Sequence, residues 1–276
     1  MTGITRLFSH FDPNSTYSEG FFRYVDAVGI VAMRGVMATK EPPKGWGTDE
    51  LTKFLDIIHW NNWAVFSNKH AEFQLLQQVD QAFYTISSNL NHPQTLLEPM
   101  LLLRSHSAYR AACGLVMGGQ TVDAFPSLRS VLEYALYALH IRRNSGYGEV
   151  WMRRHESDDS IRACRRRFET RKVMATLAAA DQSLHEKIRT LYERTVDYGA
   201  HPNERALTSS MQMRAGDDDV EFLHLYVVDD GPALAHAIKT SAQIGLGALL
   251  IFRMMFKERF DILEITPKLD ELKKQL

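Results

Sequence analysis

A chain of 276 residues, 45% hydrophobic and 24% charged, carries enough apolar surface to build a substantial core without metal or disulfide staples. Its 32 Lys and Arg against 33 Asp and Glu give a formal net charge of −1, which excludes a global pull toward nucleic acid or membrane, so any polyanion site is local. Cys113 and Cys164 lack the spacing of a zinc site or a disulfide framework and are expected as buried free thiols.

Residues 1–10 lack the continuous apolar stretch of a secretion signal, and a cytoplasmic setting is the expectation. Residues 17–37 are apolar at helical spacing, and that helix stops before Lys40, where Pro42, Pro43, Gly45 and Gly47 forbid its continuation. Thr48 is expected as an N-cap, with Asp49 and Glu50 in the first turn of a long helical region to about Asn89, broken near Asn68. His92-Pro93 marks the next boundary. Helices are then expected over 94–117, 121–144, 157–180 and 182–198, divided by Gly118-Gly119, Asn144-Ser145-Gly146 and Asp181.

Between Ser209 and Val228 the pattern turns strand-like on either side of Ala215–Asp219, which predicts a small β-hairpin. Pro232 opens a helix to about Phe256. Its apolar run, 244–256, is cut by Arg253 and falls short of the roughly 20 residues of a membrane span, so it is expected as a core helix. A short amphipathic helix follows over 267–275. The fold class expected is all-α, a multi-helix bundle in a single domain over 1–276 with one small hairpin near 209–228.

Arg129, Glu133 and His140 share one narrow sector of the 121–144 helix, which is otherwise apolar almost all round. Charges there need partners. The expectation is a buried Arg129–Glu133 ion pair, helped by Arg104, His106 or Arg110; the functional alternative is a binding pocket lined by Arg129, Glu133 and His140. Arg162, Arg165 and Arg166 belong to a basic run on a helix capped by Ser157, suited either to contacting phosphates or to forming a solvated face. Glu221 and His224 make the single Glu-x-x-His match, in a strand-like run, and Asp217–Asp219 lack the spacing of a calcium loop. No metal site and no cofactor are therefore expected.

Arg194 and His201, beside Gly199 and Pro202-Asn203, join a fixed cation able to hold a phosphate to an imidazole able to move protons near neutral pH. The helices from Gln94 to Asn203, ending in Arg, six residues and His, resemble the HEPN superfamily of small helical domains. In catalytic members of that superfamily the Arg and His cut RNA without a metal, usually across a dimer interface, while other members only bind nucleotides. The resemblance implies a core over about 94–203, with the helices of 17–90 and 232–275 packed around it. It also implies phosphate stabilisation by Arg194, proton transfer by His201, Asp197 as a local modulator, RNA or a nucleotide as partner, and a homodimer. Thr195 stands where that family often has Asn, Asp or His, and Gly199 with Pro202 ends the helix at the motif. The functional expectation is RNA or nucleotide binding, ahead of metal-independent RNA cleavage, without a membrane partner; the alternative is a non-enzymatic structural or protein-interaction bundle.

Overall fold

The computed structural model describes residues 42–90, 95–215 and 220–276. The helix expected over 17–37, the His92-Pro93 boundary and the Asp217–Asp219 cluster lie outside the described residues.

α1 (Glu50–Asn68) and α2 (His70–Ser88) are separated at Lys69, whose φ of −117° and ψ of 41° leave the helical region, so the break near Asn68 occurs. Asp49 rather than Thr48 caps α1: its carboxylate accepts from the Thr52 N–H at 2.9 Å, while the Thr48 hydroxyl turns back to the Gly45 carbonyl. α3 (Leu97–Met117) and α4 (Thr121–Arg143) follow, joined by the expected glycine pair. α5 (Tyr147–Met152), α6 (Asp158–Arg167), α7 (Thr170–Ala180) and α8 (Gln182–Thr195) come next. The single helix expected over 157–180 is thus two. Phe168 leaves helical geometry to bury its ring against Tyr137 and His140, while Arg165 and Arg166 stay in solvent.

α8 runs into a π turn, Val196–Ala200. Gly199 has φ +153° there and lies against the backbone of Val122, where a Cβ would collide with the carbonyl oxygen. Only glycine fits such a place. α9 (Glu204–Thr208) leads to β1 (Met211–Ala215) and β2 (Val220–His224), which pair antiparallel from Met211↔His224 to Ala215↔Val220. The strand-like pattern to Val228 outruns the ladder, because Leu225 N–H goes to the Ser210 carbonyl and Val228 N–H to that of Gly119. α10 (Pro232–Met255), α11 (Lys257–Ile262) and α12 (Ile265–Gln275) complete the chain.

The described residues are all-α apart from this one hairpin. α4 is the central helix. α3, α7, α8, α10 and the π turn pack around it, and Leu128, Val131, Leu132 and Ala135 are wholly buried. α10 extends beyond the apolar run marked in the sequence: its 24 residues are long and apolar enough to cross a membrane by length and composition, yet 78% of an 18-residue stretch within it is buried inside the fold. Gly245 makes the packing possible, since a Cβ there would stand 2.6 Å from the Tyr109 ring and 2.5 Å from Val79.

Candidate functional site

α8 and α10 approach closely at Gly247, where a Cβ would meet Ile188 at 2.6 Å. Beside that contact, residues of α11 and α12 help wall a groove of about 870 Å³. Its floor is apolar, from Leu184, Ile188, Leu191, Leu246 and Leu250, and its rim carries Lys187, Arg194, Arg253, Lys257 and Lys273 against Asp181 and Asp261. The two acids are occupied: Asp181 caps α8 through the Leu184 N–H at 2.9 Å, and Asp261 accepts the Thr266 hydroxyl at 2.7 Å. Arg253 and Lys273 share Asp270, at 3.8 and 2.9 Å. Lys187 and Lys257 have no ion-pair partner among the described residues.

Arg194 sits half-buried in the last turn of α8. Its Nη1 donates to Gln243 Oε1 at 2.9 Å and to Thr240 Oγ1 at 3.3 Å, both on α10. Gln243 is itself held, donating to the Leu276 carbonyl at 3.1 Å. Both groups that receive Arg194 are neutral, and no carboxylate among the described residues pairs with it. Arg110 and Arg129, by contrast, each have one.

His236 lies one turn before Thr240, with Nε2 3.5 Å from the Thr240 hydroxyl and its ring 5.3 Å from that of Tyr198. Burial, and then the neighbouring Arg194 cation, hold its pKa below the usual imidazole value. At neutral pH it is therefore uncharged and able to accept a proton. His236, Thr240 and Gln243 are spaced i, i+4 and i+7 on one face of α10; Thr240 and Gln243 meet Arg194, His236 packs on Tyr198 of the π turn, and of the three Gln243 lines the groove. That polar row, on a helix whose other polar residues are Lys239, Ser241 and Arg253, was the available signal for the site.

His201 is placed elsewhere. It follows the π turn with extended backbone (φ −140°, ψ 146°), is exposed, and is not among the residues lining the groove. Among the described residues no hydrogen bond or ring contact joins it to Arg194, because the kink at Gly199 carries the chain off the α8 axis. Asp197 pairs with Arg205 at 3.0 Å rather than with Arg194.

Arg129 Nε donates to Glu133 Oε1 at 2.8 Å, as the i, i+4 spacing predicts. The same carboxylate oxygen accepts the Tyr192 hydroxyl at 2.9 Å, and the guanidinium lies 5.1 Å from the Tyr192 ring. Burial and the Glu133 charge push the Tyr192 hydroxyl up to about 12. The pair is not interior, however: its side chains are 24% and 38% exposed. Nor do Arg104, His106 and Arg110 join it. Arg104 lies over Tyr134, while His106 and Arg110 both bind Asp80.

His140 is separate from the pair as well. Its Nε2 donates to the Arg167 carbonyl at 3.0 Å, and Nδ1 stands 2.6 Å from the Thr176 hydroxyl. Burial lowers its pKa, so the neutral ring uses both nitrogens to tie α4 to α6 and α7. The pocket expected from Arg129, Glu133 and His140 together is not formed. Arg162 pairs with Asp159 at 2.7 Å, and Arg165 and Arg166 stand on the exposed face of α6. Cys113 is half-buried and Cys164 buried, both free; desolvation pushes the Cys113 thiol up to about 12. Among the described residues no three His, Cys, Asp or Glu come together as a metal site. Comparisons with protein-family models, with curated proteins and with solved structures find no match.

Proposed function

We propose that this protein binds an amphiphilic anion, an alkyl or prenyl chain ending in phosphate or carboxylate, in the groove between α8 and α10. The observation that carries the reading is Arg194. A half-buried guanidinium whose contacts are a hydroxyl and an amide keeps donors for an anion, and a cation in such surroundings gains most from a paired charge. The leucine floor suits an apolar tail better than a nucleobase, which would call for aromatic faces or polar edges. Lys187 and Lys257 on the rim reinforce the positive end.

Dodecyl phosphate, titrated below its micelle concentration and followed by calorimetry, tests the reading. Arg194→Ala is expected to weaken binding by about 10–100-fold, the value of a charge-assisted hydrogen bond. Leu191→Gln is expected to weaken dodecyl phosphate but not inorganic phosphate. Occupancy also removes part of the influence of Arg194 on His236, so the imidazole pKa rises on binding, a change that NMR titration reads. Unaltered affinity in Arg194→Ala excludes the proposal.

One observation favours a second reading, RNA binding or cleavage in the HEPN manner. Arg194 has an uncharged imidazole beside it, His236, which supplies the pairing of cation and proton acceptor that a metal-independent cut needs. Cleavage of single-stranded RNA that persists in EDTA and is lost in His236→Ala supports it. Loss in His201→Ala alone returns the role to the residue named from the sequence.

A further inference from the structure

α4 begins without a side-chain cap. Gln120, at the N-cap position, makes no bond to the first turn, and the first backbone bond of the helix runs from the Ala124 N–H to the Gln120 carbonyl at 3.2 Å. The N–H groups of Thr121, Val122 and Asp123 therefore have no acceptor among the described residues, at the positive end of a 23-residue helix.

A cavity of about 520 Å³ lies against this turn, and all three residues line it. Thr121 gives an independent sign of what the cavity takes. The residue is 7% exposed, and its hydroxyl has no hydrogen-bond partner among the described residues. The unpartnered side-chain atoms sealed from solvent there are Ser87 Oγ and His185 Nδ1, so the Thr121 hydroxyl is not sealed and opens on the cavity. A largely buried hydroxyl left without a partner is costly, and an acceptor from a ligand removes that cost.

The rest of the wall selects the ligand. Pro202, Leu207, Leu225 and Val228 make it apolar, and the rings of His224 and Tyr226, edge to face at 5.2 Å, border it. The Asp123 carboxylate also borders it and has no cation partner among the described residues. One negative charge on a ligand gains from the helix end and the hydroxyl, whereas a second is opposed by Asp123.

We propose that this cavity binds an arylcarboxylate. The carboxylate takes the place of the missing cap, accepting from the free N–H groups of the first turn and from the Thr121 hydroxyl, and the aromatic body lies against the apolar wall. The cavity shares no residue with the groove between α8 and α10.

Naphthalene-2-carboxylate, titrated into the isotope-labelled full chain and followed through the amide resonances of Thr121, Val122 and Asp123, tests the assignment. Saturable shifts are expected at these amides, with much weaker binding of naphthalene-2-carboxamide, which lacks the charge, and of 2-naphthyl phosphate, which carries a second one. Thr121→Val is expected to weaken binding by about 10-fold, as for loss of a hydrogen bond to a charged group, with an unchanged circular dichroism spectrum. Asp123→Asn is expected to tighten it several-fold. Equal affinity for the carboxamide overturns the proposal, because the cavity then selects the ring alone. So do amides undisturbed at millimolar ligand, and so does an affinity indifferent to both substitutions.

Discussion

At Asp80 three donors converge on one carboxylate: His106 Nε2 at 2.7 Å, Arg110 Nε at 2.7 Å and Arg110 Nη2 at 2.9 Å. Burial opposes its charge, but the Arg110 and His106 bonds win and hold the carboxyl well below the usual carboxylate range. A depressed folded-state pKa means that the stabilisation is complete above the unfolded value, near 4, and is lost as pH falls from there toward the folded value. Asp80→Asn is expected to cost about 2–3 kcal/mol at pH 7, as for hydrogen bonds to a charged group. The deficit relative to the parent should narrow in melts at pH 3; a deficit independent of pH would show that packing, not charge, holds α2 to α3. The Arg129–Glu133 pair differs in having one bond from a single cation, Arg129 Nε at 2.8 Å, on its carboxylate, in a pair that solvent screens.

The elements that were legible in the sequence are those whose periodicity is long. α4 and α10 announced themselves by sustained apolar spacing, and the hairpin by two β-rich runs around a turn-forming segment. α5, α9 and α11, of five or six residues each, are too short to carry a period. The break at Phe168 carries no Gly or Pro and arises from tertiary burial of one ring, which local pattern does not encode. The same limit applies to the site. Arg194 was visible through its motif, but His236, Thr240 and Gln243 become its neighbours only when α8 packs on α10. Close packing at that level makes a prediction with two signs. Gly245→Leu forces side-chain atoms into Val79 and Tyr109 and is expected to destabilise by about 1–3 kcal/mol or more. Gly114→Ala, exposed in α3 with nothing within 4 Å of its Cβ, is expected to stabilise by about 0.5–1 kcal/mol through helix propensity. Urea midpoints check both, and equal shifts of the same sign would contradict the packing described.

On the scale of the whole molecule, a single buried cluster joins side chains of α2, α3, α4, α7, α8, α10 and α12, so these helices share one set of contacts and lose them together. The hairpin does not take part. Met213 and Phe222 are 72% and 64% exposed, and among the described residues it is tethered beyond its own ladder by few bonds, the Leu225 N–H to the Ser210 carbonyl at 2.7 Å being the nearest. A two-stranded ribbon without an apolar face against a core is marginally stable. Native-state hydrogen exchange is therefore expected to separate two classes of amide. Those of Leu132 and Leu249, wholly buried in α4 and α10, should exchange through global unfolding, with a denaturant slope equal to the equilibrium m-value. Ladder amides of β1 and β2 should exchange through local opening, at much lower free energy and with a slope near zero. If the two classes converged on one opening free energy, the hairpin would belong to the cooperative core, and the groove and bundle could no longer be treated as a unit that folds without it.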